Sequence, residues 1–73
     1  MKLNNLDLNK IKHFQAVAEH GGLQDGAVSL NLTTSAVYQS IKKLEEDLHV
    51  HLFYRSGKNY VLTDDGKKLL KLF

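Results

Sequence analysis

No cysteine, proline or tryptophan occurs among the 73 residues. Without cysteine there is neither a disulfide nor a thiolate metal site to make up for a small core, so apolar packing has to supply the stability. Without proline there is no proline-rich linker, and no repeat or low-complexity segment divides the chain. The longest apolar runs, such as Ala16-Val17-Ala18, span three residues, which excludes a signal-peptide core or a membrane-spanning helix within the sequence and leads us to expect a cytoplasmic protein. A chain of this length supports one core, since a domain so small buries only about 60% of its unfolded surface.

Chemistry-bearing groups are equally sparse. The four histidines do not make a helical metal site: His49 and His51 stand two apart at a helix end, and His13 and His20 seven apart, whereas helical ligation needs an i, i+4 pair. No nucleophile with an adjacent base, no glycine-rich phosphate loop and no paired carboxylates of a plausible pocket are found, so an enzyme is not expected, nor a cofactor or a metal.

Acidic residues are missing from two particular stretches. Val28 to Leu44 holds only Lys42 and Lys43 among charged residues, and His51 to Thr63 holds Arg55 and Lys58 without an acid. The formal net charge is a mild +2, so this distribution carries more information than the total. Between the two stretches stands Glu45-Glu46-Asp47, read as surface charge.

What is present is helical periodicity broken at defined points. Asp7 reads as an N-cap for a helix over 8–19, with Leu8, Ile11, Phe14, Val17 and Ala18 facing inward, and Gly21-Gly22 ends it. A short helix fits Leu23 to Leu30, with Leu23, Ala27 and Leu30 inward. Gly26 inside it costs roughly 1 kcal/mol against alanine and marks a close approach of two helices. After a tight turn at Asn31-Leu32, Thr33 caps a third helix from Thr34 to about Leu48, with Val37, Ile41, Leu44 and Leu48 inward. Leu52 to Arg55 and Tyr60 to Leu62 read as short strands joined by Ser56-Gly57-Lys58-Asn59. Thr63 caps a last helix whose order of charge, Asp64 and Asp65 before Lys67, Lys68 and Lys71, suits the helix dipole. Its apolar end, Leu69, Leu70, Leu72 and Phe73, has little left in the chain to cover it.

Two short helices joined by a tight turn and followed by a basic hairpin match the helix-turn-helix plan, in which the second helix enters the major groove of DNA. The groove presents donors, acceptors and thymine methyls, and the outer face of the third helix offers amide, hydroxyl and methyl groups at Thr34, Ser35, Tyr38 and Gln39 as candidate base contacts. Thr33, Lys42, Lys43, Arg55, Lys58 and Asn59 are candidates for the phosphate backbone, the last two reaching it or the minor groove from the hairpin tip.

The segments Phe14-Gln15-Ala16-Val17-Ala18-Glu19, Leu32-Thr33-Thr34-Ser35-Ala36-Val37, Ile41-Lys42-Lys43-Leu44-Glu45-Glu46-Asp47-Leu48, Leu52-Phe53-Tyr54-Arg55 and Leu62-Thr63-Asp64-Asp65-Gly66 together resemble the DNA-binding domain of LysR-type transcriptional regulators, from about Leu8 to Gly66. The resemblance implies a mainly α, winged helix-turn-helix fold: a three-helix core, a two-stranded wing and the start of a C-terminal linker helix, divided as 1–63 and 64–73. It implies sequence-specific binding to double-stranded DNA, a homodimer formed through a longer C-terminal helix, and a small-molecule effector sensed only by a domain this chain lacks. Departures fall on the reading face. Family members often carry glutamine at Thr34, proline at Ser35, serine at Tyr38, arginine at Gln39 and glycine at His49, so the face is bulkier and less basic here, and the stop of the third helix is weaker. Two alternatives stand beside this reading: a winged helix that docks on another protein, and the head of a molybdate-repressor-like regulator.

Overall fold

A computed structural model describes residues 7–57 and 59–73. Helix α1 spans Leu8–His20, started by the Asp7 carboxylate, which accepts from the Asn9 N–H at 2.8 Å. It ends at Gly21, whose φ of 70° lies in the left-handed region open to glycine without cost. Helix α2 spans Leu23–Leu30 and helix α3 Thr34–Leu48, the latter capped by Thr33, whose Oγ1 accepts from the Ala36 N–H at 3.1 Å. Strands β1 (Phe53–Ser56) and β2 (Asn59–Leu62) pair antiparallel with Arg55 opposite Tyr60. Helix α4 spans Asp64–Leu72. No helix among the described residues is long and apolar enough to cross a membrane.

One core serves all these elements. Ile11, Phe14 and Val17 of α1 meet Ala27 of α2, Val37, Ile41, Leu44 and Leu48 of α3, and Leu52, Phe53 and Leu69 from the C-terminal third. The 3.6-residue spacing of the α3 set is what places four apolar side chains on one buried stripe and leaves the opposite face to solvent. The root of the wing is tied down by the backbone: the Thr63 N–H donates to the Leu52 carbonyl at 3.0 Å, and the Thr63 hydroxyl donates to the His51 carbonyl while accepting from the Gly66 N–H.

Four expectations need correcting. Leu8 is 66% exposed, because it precedes the first full turn that reaches the core. The hairpin link is two residues shorter than expected, since Ser56 and Asn59, both assigned to it, pair with each other across the strands, and Gly57 beside Ser56 has a φ of 62°. Glu45 is buried at 6% exposure, unlike its neighbours Glu46 and Asp47. At the apolar end of α4, Leu69 is fully covered by the core and Leu70 half-buried, whereas Leu72 and Phe73 are exposed.

The α3 stop holds without glycine. His49 adopts the left-handed conformation itself, φ 58°, and its N–H bonds the carbonyls of Glu45 and Glu46. A side chain in that region costs roughly 1–2 kcal/mol, which the burial of Leu48 and Leu52 on either side offsets.

Candidate nucleic-acid interface

Positions 34, 35, 38, 39 and 42 follow one another along the solvent face of α3 at three- and four-residue intervals, so their side chains share a surface. Thr34, Ser35, Tyr38, Gln39 and Lys42 are all exposed, and the buried Val37, Ile41 and Leu44 lie behind them. The N-terminus of α3 is open to solvent beside Thr33, and its unpaired backbone N–H groups add a positive end to this face.

The wing meets the same side of the molecule. A groove of about 530 Å³ is lined by Gly22, Gln24 and Asp25 at the start of α2, by Thr34 at the start of α3, and by Arg55 and Asn59 on the wing. Arg55 is exposed and has no ion-pair partner among the described residues. Lys58 lies outside the described residues. The start of α2 escapes a reading of the sequence, because Gly22-Leu23-Gln24 carries no cation or cap to announce a surface; only the fold brings it across from the wing.

The two lysines of α3 are not equivalent. Lys43 sits among acids of its own helix, with its Nζ 3.9 Å from Glu46 and 3.7 Å from Asp47, and Asp47 also meets Lys10 of α1 at 3.6 Å. Lys42 points along the exposed face of α3: its Nζ is 5.5 Å from the centroid of the Tyr38 ring and 3.5 Å from Oε1 of Glu45. The other oxygen of that buried carboxylate accepts from the Leu52 N–H at 2.6 Å and the Phe53 N–H at 3.3 Å. A carboxylate left unpaired in such a place would be costly, and two amide donors with an ammonium satisfy it.

Behind the face, His13 of α1 and Ser40 of α3 share a 2.7 Å hydrogen bond that fixes the roll of α3 on α1. On the wing, Tyr60 stacks on Phe53 with centroids 4.6 Å apart and planes 17° apart. Burial, with the negative charge of Glu45 adding to it, pushes the Tyr60 phenol up to about 12. Tyr60 is therefore a neutral packing residue.

A family model described as "Bacterial regulatory helix-turn-helix protein, lysR family" matches residues 8–67. The chain belongs to that LysR family. Among curated relatives, it is 44% identical over 64 residues to the HTH-type transcriptional regulator YbhD of Escherichia coli (strain K12), covering 88% of this chain and 20% of that protein. It is 37% identical over 70 residues to the HTH-type transcriptional activator AmpR of Citrobacter freundii, covering 96% of this chain and 24% of AmpR. The chain thus spans a fifth to a quarter of the length of these relatives. Among solved structures, the DNA complex of the CbnR DNA-binding domain superposes with a TM-score of 0.86 at 32% identity, over 90% of this chain and 76% of that one. The oxidized form of Corynebacterium glutamicum OxyR superposes with a TM-score of 0.89 at 28% identity, over 97% of this chain and 23% of OxyR. The fold is therefore the winged helix-turn-helix of LysR-family DNA-binding domains, and the family's relatives are transcriptional regulators.

The candidate interface of this LysR-family domain has its positive charge at the edges. The centre of the exposed α3 face, from Thr34 to Gln39, is uncharged, and the cations Lys42 and Arg55 flank it. That division suits a surface whose middle meets base edges and whose margins meet phosphates.

Proposed function

We propose that this LysR-family domain binds double-stranded DNA in a sequence-dependent way, as the reading head of a bacterial transcriptional regulator. The observation that carries it is the exposed row Thr34, Ser35, Tyr38 and Gln39 on α3, standing beside a wing that presents Arg55 and Asn59 across one groove. A major groove about 12 Å wide admits a helix bearing such a row. In this arrangement Thr34, Ser35, Tyr38 and Gln39 meet base edges. Thr33, Lys42, Lys43, Arg55 and Asn59 serve the backbone, the wing residues reaching it or the minor groove, with Lys58 assigned to the same role from its place in the sequence. The likeness to the CbnR domain, whose structure is a complex with DNA, supports the reading.

Residues 1–63 then form the reading unit and 64–73 begin a linker helix, whose exposed Leu72 and Phe73 are suited to a partner chain. The working form is a homodimer on a two-fold operator, joined through a longer helix, with effector sensing in a further domain such as the greater length of the relatives accommodates. The domain performs no catalysis, needs no cofactor and acts in the cytoplasm.

The test is titration of the chain against duplexes of mixed sequence at low salt, followed by selection of bound sites from random DNA. Binding at low salt and enrichment of a short motif are expected. Absence of binding at low salt would favour docking on a protein instead, and binding without any enriched motif would remove the reading role.

A further inference from the structure

We infer that Glu45 is a positioning residue for the DNA interface, its one buried carboxylate both fixing the root of the wing against α3 and withholding part of the Lys42 charge from DNA. The inference rests on the DNA-binding reading above and goes beyond it by assigning a role to an acid.

The two oxygens of Glu45 face different environments. Oε2 is held by the N–H groups of Leu52 and Phe53, at 2.6 and 3.3 Å, where β1 leaves the core. Leu52 is fully buried and Phe53 nearly so, so these bonds are made away from water and endure as long as the wing is folded. Oε1 instead meets the Lys42 ammonium at 3.5 Å, and the Lys42 side chain is 47% exposed. This second tie is an edge contact, open to exchange. The same ammonium lies 5.5 Å from the Tyr38 ring on the reading face.

Lys42 is thereby placed between two acceptors of like charge, the carboxylate at its root and any phosphate that reaches Tyr38. An ammonium already paired displaces fewer counterions from DNA than a free one, and counterion release governs how affinity falls with salt. Lys43 is paired only to exposed or half-exposed acids of its own helix and has no link to the wing. Glu45 alone, among the acids of α3, touches both halves of the interface. The consequence is that part of the non-specific, charge-driven affinity is held back, while the wing stays in register with the reading helix.

The experiment measures binding of a fluorescent duplex of mixed sequence by anisotropy over a salt series. It compares the native chain, Lys42→Met, Glu45→Gln and the double variant. Glutamine keeps an acceptor for the Leu52 and Phe53 amides while removing the charge, so hydrogen exchange at those amides stays slow in Glu45→Gln and quickens in Glu45→Ala. Glu45→Gln is expected to bind mixed DNA more tightly and with a steeper salt slope. Lys42→Met is expected to flatten the slope by about 0.9 in the Glu45→Gln background, the value of one phosphate contact, and by well under that in the native background. A readout of this kind is not moved by a purely structural glutamate. Equal losses in the two backgrounds would overturn the inference while leaving DNA binding intact. If Glu45→Gln does not fold, Lys42→Met in the native chain still decides: a loss of about 0.9 overturns the inference and a much smaller one supports it. No binding of mixed DNA by the native chain at low salt overturns this inference and the DNA-binding reading together.

Discussion

A Cβ on Gly26 would stand 2.9 Å from the Cα of Val17 and equally close to its Cγ2, so α2 lies directly on the backbone of α1. The obstacle is main chain and cannot swing aside. Gly26→Ala therefore has to part the two helices. The strain of overpacking, about 1–3 kcal/mol, exceeds the roughly 1 kcal/mol that alanine gains over glycine within a helix. The variant is expected to melt several degrees below the parent in a circular-dichroism scan, at about 4–8 °C per kcal/mol for a domain of this size. A melting temperature at or above the parent's would show that the helices separate without cost.

Much of this fold was legible because its signals are local. The three N-caps Asp7, Thr33 and Thr63 each accept the expected backbone N–H, and the inward positions of α3 are all buried. The tight packing at Gly26 was legible for a related reason: an unfavourable residue inside a helix asks for a compensating contact. What escaped was long-range. Glu45 sits in an acidic run that reads as solvent-facing, and only the return of the chain at Leu52 and Phe53 supplies the amides that bury it. Likewise, the 3.6-residue period extends to Leu8 but the core does not. In the candidate interface the α3 face followed from periodicity, whereas the place of Gly22 and Gln24 opposite Arg55 needed the tertiary fold.

His49 ends α3 with a φ of 58° and an exposed side chain, so glycine fits its backbone better than histidine does. His49→Gly relieves the left-handed penalty of roughly 1–2 kcal/mol and returns part of it through the greater freedom of glycine in the unfolded chain. A net gain of about 0.5–1 kcal/mol is expected in urea unfolding, with the m-value unchanged. A loss of stability would mean that the imidazole makes a contact worth more than the strain.

Tyr60 gives the domain a dependence on alkaline pH. Its phenol is raised from the ordinary 10.0 to about 12, by burial first and then by the charge of Glu45, so the folded chain favours the protonated ring. Below pH 10 both folded and unfolded chains hold that proton and the contribution is complete. Between about pH 10 and 12 the unfolded chain loses it first, so stability falls as pH rises. Tyr60→Phe keeps the stack on Phe53 and removes the ionisation, so its melting temperature should fall less steeply across that window. Parallel falls for the two chains would show that Tyr60 does not carry the effect.

The proposed division of the interface into reading and holding residues is tested by substituting one of each. Gln39 has an amide with a donor and an acceptor, the pair needed for a bidentate bond to adenine, and no charge with which to hold a phosphate strongly. Arg55 has the converse: a fixed positive fork on the wing, without an ion-pair partner among the described residues, and a position off the reading helix. Gln39→Ala should therefore lower affinity for the selected motif by about 1–3 kcal/mol while leaving mixed DNA nearly unaffected. Tyr38→Ala should also change the base preference, because its exposed ring stands at the centre of the proposed reading face. Arg55→Ala should weaken motif and mixed DNA alike and flatten the salt slope by about 0.9. Gel-shift titrations of both DNAs at two salt concentrations separate these outcomes. Equal losses on motif and mixed DNA for Gln39→Ala would move it to the backbone set, and a motif-specific loss for Arg55→Ala would place the wing among the base-reading elements.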